Sequence, residues 1–264
     1  MQTLLMDYGS NTHKLGLNTQ PLENVKKFYG LDDESLHFQH YCKQKNAYYE
    51  VVENASDNLN TIYDTIGLDA STNGFLLSQP IDYEAQKERF ILSSMELFFE
   101  DMGFQYGNIQ LQPIAMYLAA KKPTESSLLI VDSGEESTYI IPICENFILV
   151  DAIERSQLGG EIVTKGLQQH LLTLLPNLHN SIDFLSLQLI KEQHLGLCVD
   201  FHKYDNSVLN KYNFFNTDIE LPDKTTITLG REVYDLCEPL FSPSRFGLDG
   251  LGISQKVCAS INVM

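Results

Sequence analysis

The sequence predicts an α/β protein of two lobes, on three observations. Short apolar strands alternate with stretches of helical period, the pattern of a sheet covered by helices. One strand-turn-strand unit occurs twice: Leu4-Leu5-Met6-Asp7-Tyr8-Gly9-Ser10 returns 125 residues later as Leu129-Ile130-Val131-Asp132-Ser133-Gly134-Glu135. A polar, proline-containing joint from Lys121 to Ser126 separates the copies, so a smaller lobe over 1–122 and a larger one over 123–264 are expected.

Each repeated unit runs an apolar strand into an Asp, then a Gly able to take φ > 0, then a second strand, Lys14 to Leu17 or Thr138 to Ile143. Such a turn aims successive backbone N–H groups at one spot where a phosphate can sit, with the Asp placed to hold Mg²⁺ through water. Ordinary hairpins share Asp-x-Gly turns, so the repeat alone leaves both readings open. Gln20 to Lys45 is polar and is expected to be a surface excursion. Within it His37-x-x-His40-x-Cys42 has metal-ligand spacing, but no fourth ligand follows and a plain loop is the preferred reading.

Ser56 caps a predicted helix with Leu59, Ile62, Tyr63 and Ile66 on one face, ended at Gly67. Phe75 to Ser78 is a short buried-type strand. A longer helix is expected from Glu84 to Met102, with Phe90, Ile91, Met95, Phe98 and Met102 inward and Gly103 as its stop. The strand Tyr106 to Leu111 leads into a helix at Gln112, where Pro113 is tolerated in the first turn.

Beyond the joint, Leu128 to Asp132, Thr138 to Ile143 and Phe147 to Val150 form a predicted three-stranded meander whose last turn is Cys144-Glu145-Asn146. Leu158-Gly159-Gly160-Glu161 opens a helix to about Leu175, and another covers Ile182 to about His194. Asp200 to Thr217 is expected to be an exposed connector. Lys224 to Leu229 is a predicted strand, followed by a short helix over Glu232 to Cys237.

With 264 residues and 43% apolar content the chain can bury a full core. No run approaches 18 consecutive apolar residues, and Met1 to Lys14 lacks the basic start and apolar run of a leader, so a soluble intracellular protein is expected. Five scattered cysteines without CxxC spacing fit free thiols. Lysine and arginine number 18 against 35 aspartate and glutamate, a net charge of −17. That field repels DNA, RNA and anionic lipid, and suits contact with basic protein surfaces.

Several segments together resemble the actin family, within the group of actin-fold ATPases that includes heat-shock chaperones and sugar kinases, with RNase H-like lobes. They are Leu221-Pro222-Asp223-Lys224 through Ile227-Thr228-Leu229-Gly230, then Glu238-Pro239-Leu240-Phe241-Ser242-Pro243-Ser244, then Gly252-Ile253. Actins carry a similar ordered string at nearly the same spacing. Phe75-Leu76-Leu77-Ser78-Gln79-Pro80 is similar to the strand before their long helix, and Val131 to Ala152 to their second phosphate hairpin. Cys237 departs from the pattern, where actins have proline.

The resemblance implies that Asp7, Gly9, Ser10 and Lys14 form a first phosphate loop, with Lys14 a point charge on phosphate oxygens. It places Gln112 on the glutamine that orients the attacking water, the catalytic residue if hydrolysis survives. Asp132, Ser133 and Gly134 fall on the second phosphate loop, Gly160 on a glycine near the nucleotide, and Lys191 and Glu192 on a pair that contacts base and ribose. Asp7 and Asp132 are the candidates for water-mediated Mg²⁺. Apart from the resemblance, Gln112 is an ordinary helix start, and Lys191 and Glu192 an ordinary solvated pair.

The departures weigh against a working site. After Gly134 the family has an acidic residue and a second glycine, whereas Glu135 and Glu136 stand here. At an effective dielectric near 20, a like charge about 5 Å from a phosphate costs roughly 3 kcal/mol before screening, about a hundredfold in affinity. Asn11 replaces a glycine of the first loop, a milder change. Actins continue past the Gly-Ile segment with a glycine-rich adenosine turn and further core, so an actin-like fold incomplete at its C-terminus is expected. The span Leu17 to Gly74 is shorter than in actins, which implies a reduced subdomain 2.

Taken together, the resemblance implies a structural subunit of a larger assembly that forms no filaments itself, of the kind actin-related proteins join in chromatin remodellers, dynactin-like complexes or cilia. Its partners are then other protein subunits, actin or actin-related proteins among them, with neither nucleic acid nor membrane. Its place is the cytoplasm and cytoskeleton, the nucleus being the alternative. No bound cofactor is the favoured expectation, ATP or ADP with Mg²⁺ the other. The competing readings are an ATP-binding switch with weak or no hydrolysis, and a truncated product without a stable fold.

Overall fold

The computed structural model describes residues 2–8, 12–19, 26–29, 68–79, 81, 91–92, 94–120, 126–175, 184–199, 216–221 and 224–263. The chain divides into two compact units, Met1–Glu125 and Ser126–Met264. The helix expected from Ser56, the first part of the helix expected from Glu84, and the His37, His40 and Cys42 cluster lie outside the described residues.

In the first unit the repeated hairpin is β1 (Thr3–Tyr8) and β2 (Thr12–Leu17). Two further strands, β4 (Gly74–Gln79) and β5 (Tyr106–Leu111), run parallel to β1, and β3 (Lys26–Tyr29) adds antiparallel to β2. The sheet order is β3-β2-β1-β4-β5. Alternation decides which side of the sheet is core: Leu4, Met6, Phe75 and Leu77 are buried on one face, while Asp7 and Ser78 point to the other. The buried face meets Leu17, Leu68, Leu97, Phe98 and Phe104. Phe75 stacks on Phe98 with centroids 4.5 Å apart and meets Phe104 edge-on at 5.3 Å.

The helical residues before Gly103 end in a π turn, Leu97–Asp101. Gly103 stops it at φ 77°, a left-handed conformation open to glycine, and the Phe104 amide closes back on the Phe98 carbonyl at 3.0 Å. The helix α1 (Gln112–Ala120) follows β5 directly and buries Pro113 and Tyr117 one turn apart.

The second unit is built on β6 (Leu128–Ser133) and β7 (Thr138–Cys144), paired antiparallel, with β8 (Phe147–Ile148) and β9 (Glu154–Ser156) both pairing β7. β7 is covered on both faces, and Thr138 through Ile143 are all buried. Glu145 and Asn146, at φ 49° and 70°, make the two-residue turn to β8 in the backbone sense that matches strand twist. Helices α2 (Gly160–Leu174) and α3 (Phe184–His194) pack with the hairpin β10 (Thr217–Glu220) and β11 (Thr226–Leu229) around Leu167, Leu171, Leu187, Ile190, Ile219, Leu221, Ile227, Leu229 and Val233. After the short α4 (Glu232–Asp235), α5 (Ile253–Val263) docks on β9 and its preceding turn: Ser260 Oγ donates to the Ala152 carbonyl at 2.6 Å and Lys256 pairs with Glu154 at 2.9 Å.

Several expected elements are corrected. Lys26–Tyr29 is a strand inside the expected surface excursion. The meander has a fourth strand, β9, and its third ends at Ile148 because Val150–Ala152 turns into a 3₁₀ helix. Thr217 begins β10 and is no part of a connector. β11 starts at Thr226, since Lys224 takes φ 71° in the turn that the Leu221 amide closes on the Thr225 carbonyl. The helix from Glu232 ends at Asp235, ahead of 3₁₀ turns at Glu238–Leu240 and Pro243–Phe246. Gly134 does not adopt φ > 0, because its loop is held from both sides by hydrogen bonds described below. No described helix is long and apolar enough to cross a membrane.

Candidate functional site

At the carboxyl ends of β1, β4 and β5 the strand registers bring four polar residues together. Asp7 lies opposite Lys14 in the hairpin and beside Ser78 in the parallel pair, and Gln112 is the first residue after β5. Outside the carboxyl ends of parallel strands is where open α/β sheets bind ligands. Asp7 Oδ1 accepts from Ser78 Oγ at 2.5 Å and from Gln112 Nε2 at 2.6 Å, and Asp7 Oδ2 lies 3.2 Å from Lys14 Nζ.

Burial pushes the Asp7 carboxyl pKa up, but the hydrogen bonds from Ser78 and Gln112 and the charge of Lys14 outweigh it and hold the group below its ordinary 3.8. The result is a fixed carboxylate, acceptor-only at neutral pH, beside an ammonium group. Asp7, Lys14 and Gln112 are thus neighbours, and Ser78 joins them although sequence reasoning treated it only as the end of a strand. Gly9 and Ser10, with Asn11, lie outside the described residues.

In the second unit Asp132 and Ser133 stand at the end of β6, opposite Tyr139 and Thr138. Ser133 Oγ lies 2.9 Å from Thr138 Oγ1, and Thr138 Oγ1 donates to the Leu158 carbonyl at 2.7 Å. A hydroxyl carries one proton, so in their shared bond Ser133 is the donor. The Gly134 amide donates to the Ser137 carbonyl at 2.9 Å. The loop's carbonyls in turn take the first amides of α2: Gly160 N–H donates to Gly134 at 2.9 Å and Glu161 N–H to Glu135 at 2.8 Å.

Lys191 reaches the same place from α3. Its ammonium donates to Glu135 Oε2 at 3.0 Å, to Thr164 Oγ1 at 2.8 Å and to the Gly160 carbonyl at 3.4 Å, which engages all three protons. Both charged side chains are nearly buried, 12% and 11% exposed. At Gly159 the approach requires glycine, since a Cβ there would lie 2.4 Å from the Glu135 carbonyl oxygen; one on Gly160 would lie 2.5 Å from Glu135 Oε2, the movable end of a side chain. Glu192 does not join this cluster; it accepts from Gln188 Nε2 at 2.6 Å. The thiol of Cys237 is raised in pKa by burial, partly offset by the charge of Lys191. Sequence reasoning missed Gly159 and the role of Glu135, although the Gly-Gly doublet before a helix was a visible sign of close backbone approach.

Mg-ATP, which the resemblance implies, meets fitting groups in the first unit, an ionised Asp7, a neighbouring ammonium and an oriented amide. In the second unit the corresponding groups have partners within the chain. The Ser133 hydroxyl, the amides of Gly134 and Gly160 and the Lys191 ammonium, all expected to face a nucleotide, are engaged with the chain itself. Among the described residues no group of three or more His, Cys, Asp or Glu could hold a metal.

The family model described as Actin matches residues 43–264. Centractin of Schizosaccharomyces pombe (strain 972 / ATCC 24843) is 29% identical over 166 residues, 63% of this chain and 43% of that protein. Actin-related protein 2 of Acanthamoeba castellanii is 26% identical over 209 residues, 76% of this chain and 50% of that protein. Actin-related protein 2 of Caenorhabditis briggsae is 29% identical over 169 residues, 64% and 42% respectively. The chain spans about half the length, or somewhat less, of the curated relatives it matches.

Proposed function

The chain belongs to the actin family, and from that premise we propose that it is an actin-related structural subunit of a larger protein assembly, forming no filaments itself and carrying a degenerate nucleotide site. The observation that carries this reading is the closure of the second loop on its own chain. The actin-like α/β fold is kept, while the donors that would face a nucleotide from Ser133, Gly134, Gly160 and Lys191 bond inward. Glu136 adds a negative charge where the family has glycine.

A subunit of this kind uses the fold as a shape that partners recognise. Met116 and Leu118 lie exposed on α1, and Phe147 is 74% exposed on β8, apolar groups suited to cover by other subunits, actin or actin-related proteins among them. The acidic balance of the chain suits basic surfaces on those partners. It works in the cytoplasm with the cytoskeleton, the nucleus being the alternative. The reading is tested by isolating the protein at its native level and measuring its mass in solution. A stoichiometric complex with other chains that persists in the Glu136→Gly variant is expected. A monomer, or an assembly abolished by Glu136→Gly, would contradict it.

The second reading, an ATP-binding switch with weak or no hydrolysis, is favoured by one observation, the intact cluster of Asp7, Lys14, Ser78 and Gln112. In that reading Lys14 would hold phosphate oxygens, Asp7 would hold Mg²⁺ through water, and Gln112 would orient a water. The nucleotide supplies the phosphoryl group, and the chain contributes binding and orientation. Asp7→Ala should then abolish ATP binding.

A further inference from the structure

The hairpins of the two units share one register. Leu4↔Leu17 through Tyr8↔His13 in β1 and β2 become Leu129↔Pro142 through Ser133↔Thr138 in β6 and β7, each number raised by 125. Their outer edges differ. β1 is paired on its other side by the parallel β4, whereas among the described residues β6 pairs with β7 alone. Burial follows the same difference: Leu4 and Met6 are 1% and 3% exposed, while their counterparts are less covered, Leu129 partly buried and Val131 45% exposed. On β7 the matching face stays covered, since Ile140 and Pro142, opposite Val131 and Leu129, are buried. Cover on this face therefore ends at the edge strand β6.

We propose that β6 receives a strand from a partner chain, parallel to it and in the register that β4 takes on β1. This deepens the subunit reading and rests on it, by naming a contact through which the assembly holds the chain. The pairs Leu4↔Phe75, Leu5↔Leu76, Met6↔Leu77 and Asp7↔Ser78 are the template. They call for three apolar residues opposite Leu129, Ile130 and Val131, then a hydroxyl residue opposite Asp132. Apolar residues after that strand cover Leu129 and Val131, as Leu97 and Phe98 join the core of Leu4 and Met6. The edge is unguarded, because Leu128 to Val131 carries none of the charges or prolines that block strand addition. A second copy fits it poorly: two β6 strands related by a two-fold axis pair antiparallel, against the template, and each chain brings a net charge of −17. An apolar partner segment flanked by Lys or Arg meets both the geometry and the charge.

The probe is a synthetic peptide of the β4 sequence, Gly74 to Gln79, flanked by lysines. Saturable binding to the whole protein is expected, with the amides of 128–133 exchanging at least about tenfold more slowly at saturation and those of β1 unchanged. Val131→Lys, which places a charge on the exposed edge, should melt with the wild type and bind the peptide at least about tenfold more weakly. A strand added to an edge bonds through alternate residues only, so N-methylation of one alternate set in the peptide should abolish binding and of the other set should be tolerated. That contrast needs no protein variant and decides the matter should Val131→Lys not fold. No saturable binding, protection of β1 in place of β6, equal effects of the two methylated sets, or a dimer of this chain that Val131→Lys dissolves would each overturn the proposal. A stoichiometric native complex alongside an unbound peptide would sink this inference alone, whereas a monomer at native level would sink the subunit reading and this inference with it.

Discussion

Gln112 Nε2 donates to Asp7 Oδ1 at 2.6 Å across 105 residues of sequence, tying the start of α1 to the first hairpin. With Ser78 on the same oxygen and Lys14 on the other, the carboxylate of Asp7 is the centre of the first unit's polar cluster. Because this network both fixes and ionises Asp7, it is testable through stability as well as through ligand binding.

The pKa of Asp7 is lower in the folded chain than its ordinary 3.8. A depressed carboxyl pKa contributes stability that is present above the unfolded value and is lost as pH falls through the folded one. Asp7→Asn should therefore be less stable than the wild type at pH 7, with the gap narrowing as the pH drops below about 4. Urea midpoints of both proteins between pH 7 and pH 3 measure it, and a gap that stays constant over that range would count against the network.

Ser78→Ala removes a donor to an ionised group. A loss of about 1.5–3 kcal/mol is expected from urea denaturation. The Asp7 carboxyl should titrate closer to its ordinary value, readable by carboxyl carbon NMR. An unmoved titration would show that Ser78 fills space without supporting the charge.

Gly159, just before α2, and Gly134 of the second loop should respond differently. Gly159→Ala drives a Cβ against the backbone carbonyl of Glu135 and should destabilise by about 1–3 kcal/mol. Gly134→Ala meets nothing nearer than the Ser137 carbonyl oxygen at 3.5 Å and needs no left-handed backbone. It should change stability by no more than about 0.5 kcal/mol. Thermal melts of the two variants side by side distinguish a glycine kept for packing from one that the loop does not need.

Thr138→Val should expose how the Ser133 proton is committed. The valine cannot donate to the Leu158 carbonyl, so a group buried in the wild type loses its partner at a cost of about 1–3 kcal/mol. Ser133→Ala, which removes only the outer donor of the chain, should cost distinctly less in the same denaturation assay.

Strands with strong alternation or continuous apolar runs were legible in the sequence, among them β1, β4, β6 and β7, as were the starts of α1 and α2 at Pro113 and at the Gly-Gly doublet. β10 was not, because Thr217-Asp218-Ile219-Glu220 turns one apolar side chain inward and otherwise looks like a polar connector. The helix α5 was missed for a related reason: Ser260 is its fully buried residue, held by a hydrogen bond to Ala152, so apolar periodicity carries little of its signal. At the site, a family resemblance singled out Asp7, Lys14 and Gln112, and the structure brings the three together. Ser78 and Glu135 were not legible, since their partners stand 71 and 56 residues away and no local pattern marks a side chain that bonds across a sheet or between a loop and a helix.

The proposed degenerate site rests on the inward-turned donors of the second loop. Calorimetric titration of purified, monodisperse protein with Mg-ATP tests it most directly, with Asp132→Ala as control. No saturable heat is expected from folded wild-type protein. Micromolar binding that Asp132→Ala abolishes would contradict it and restore the switch reading.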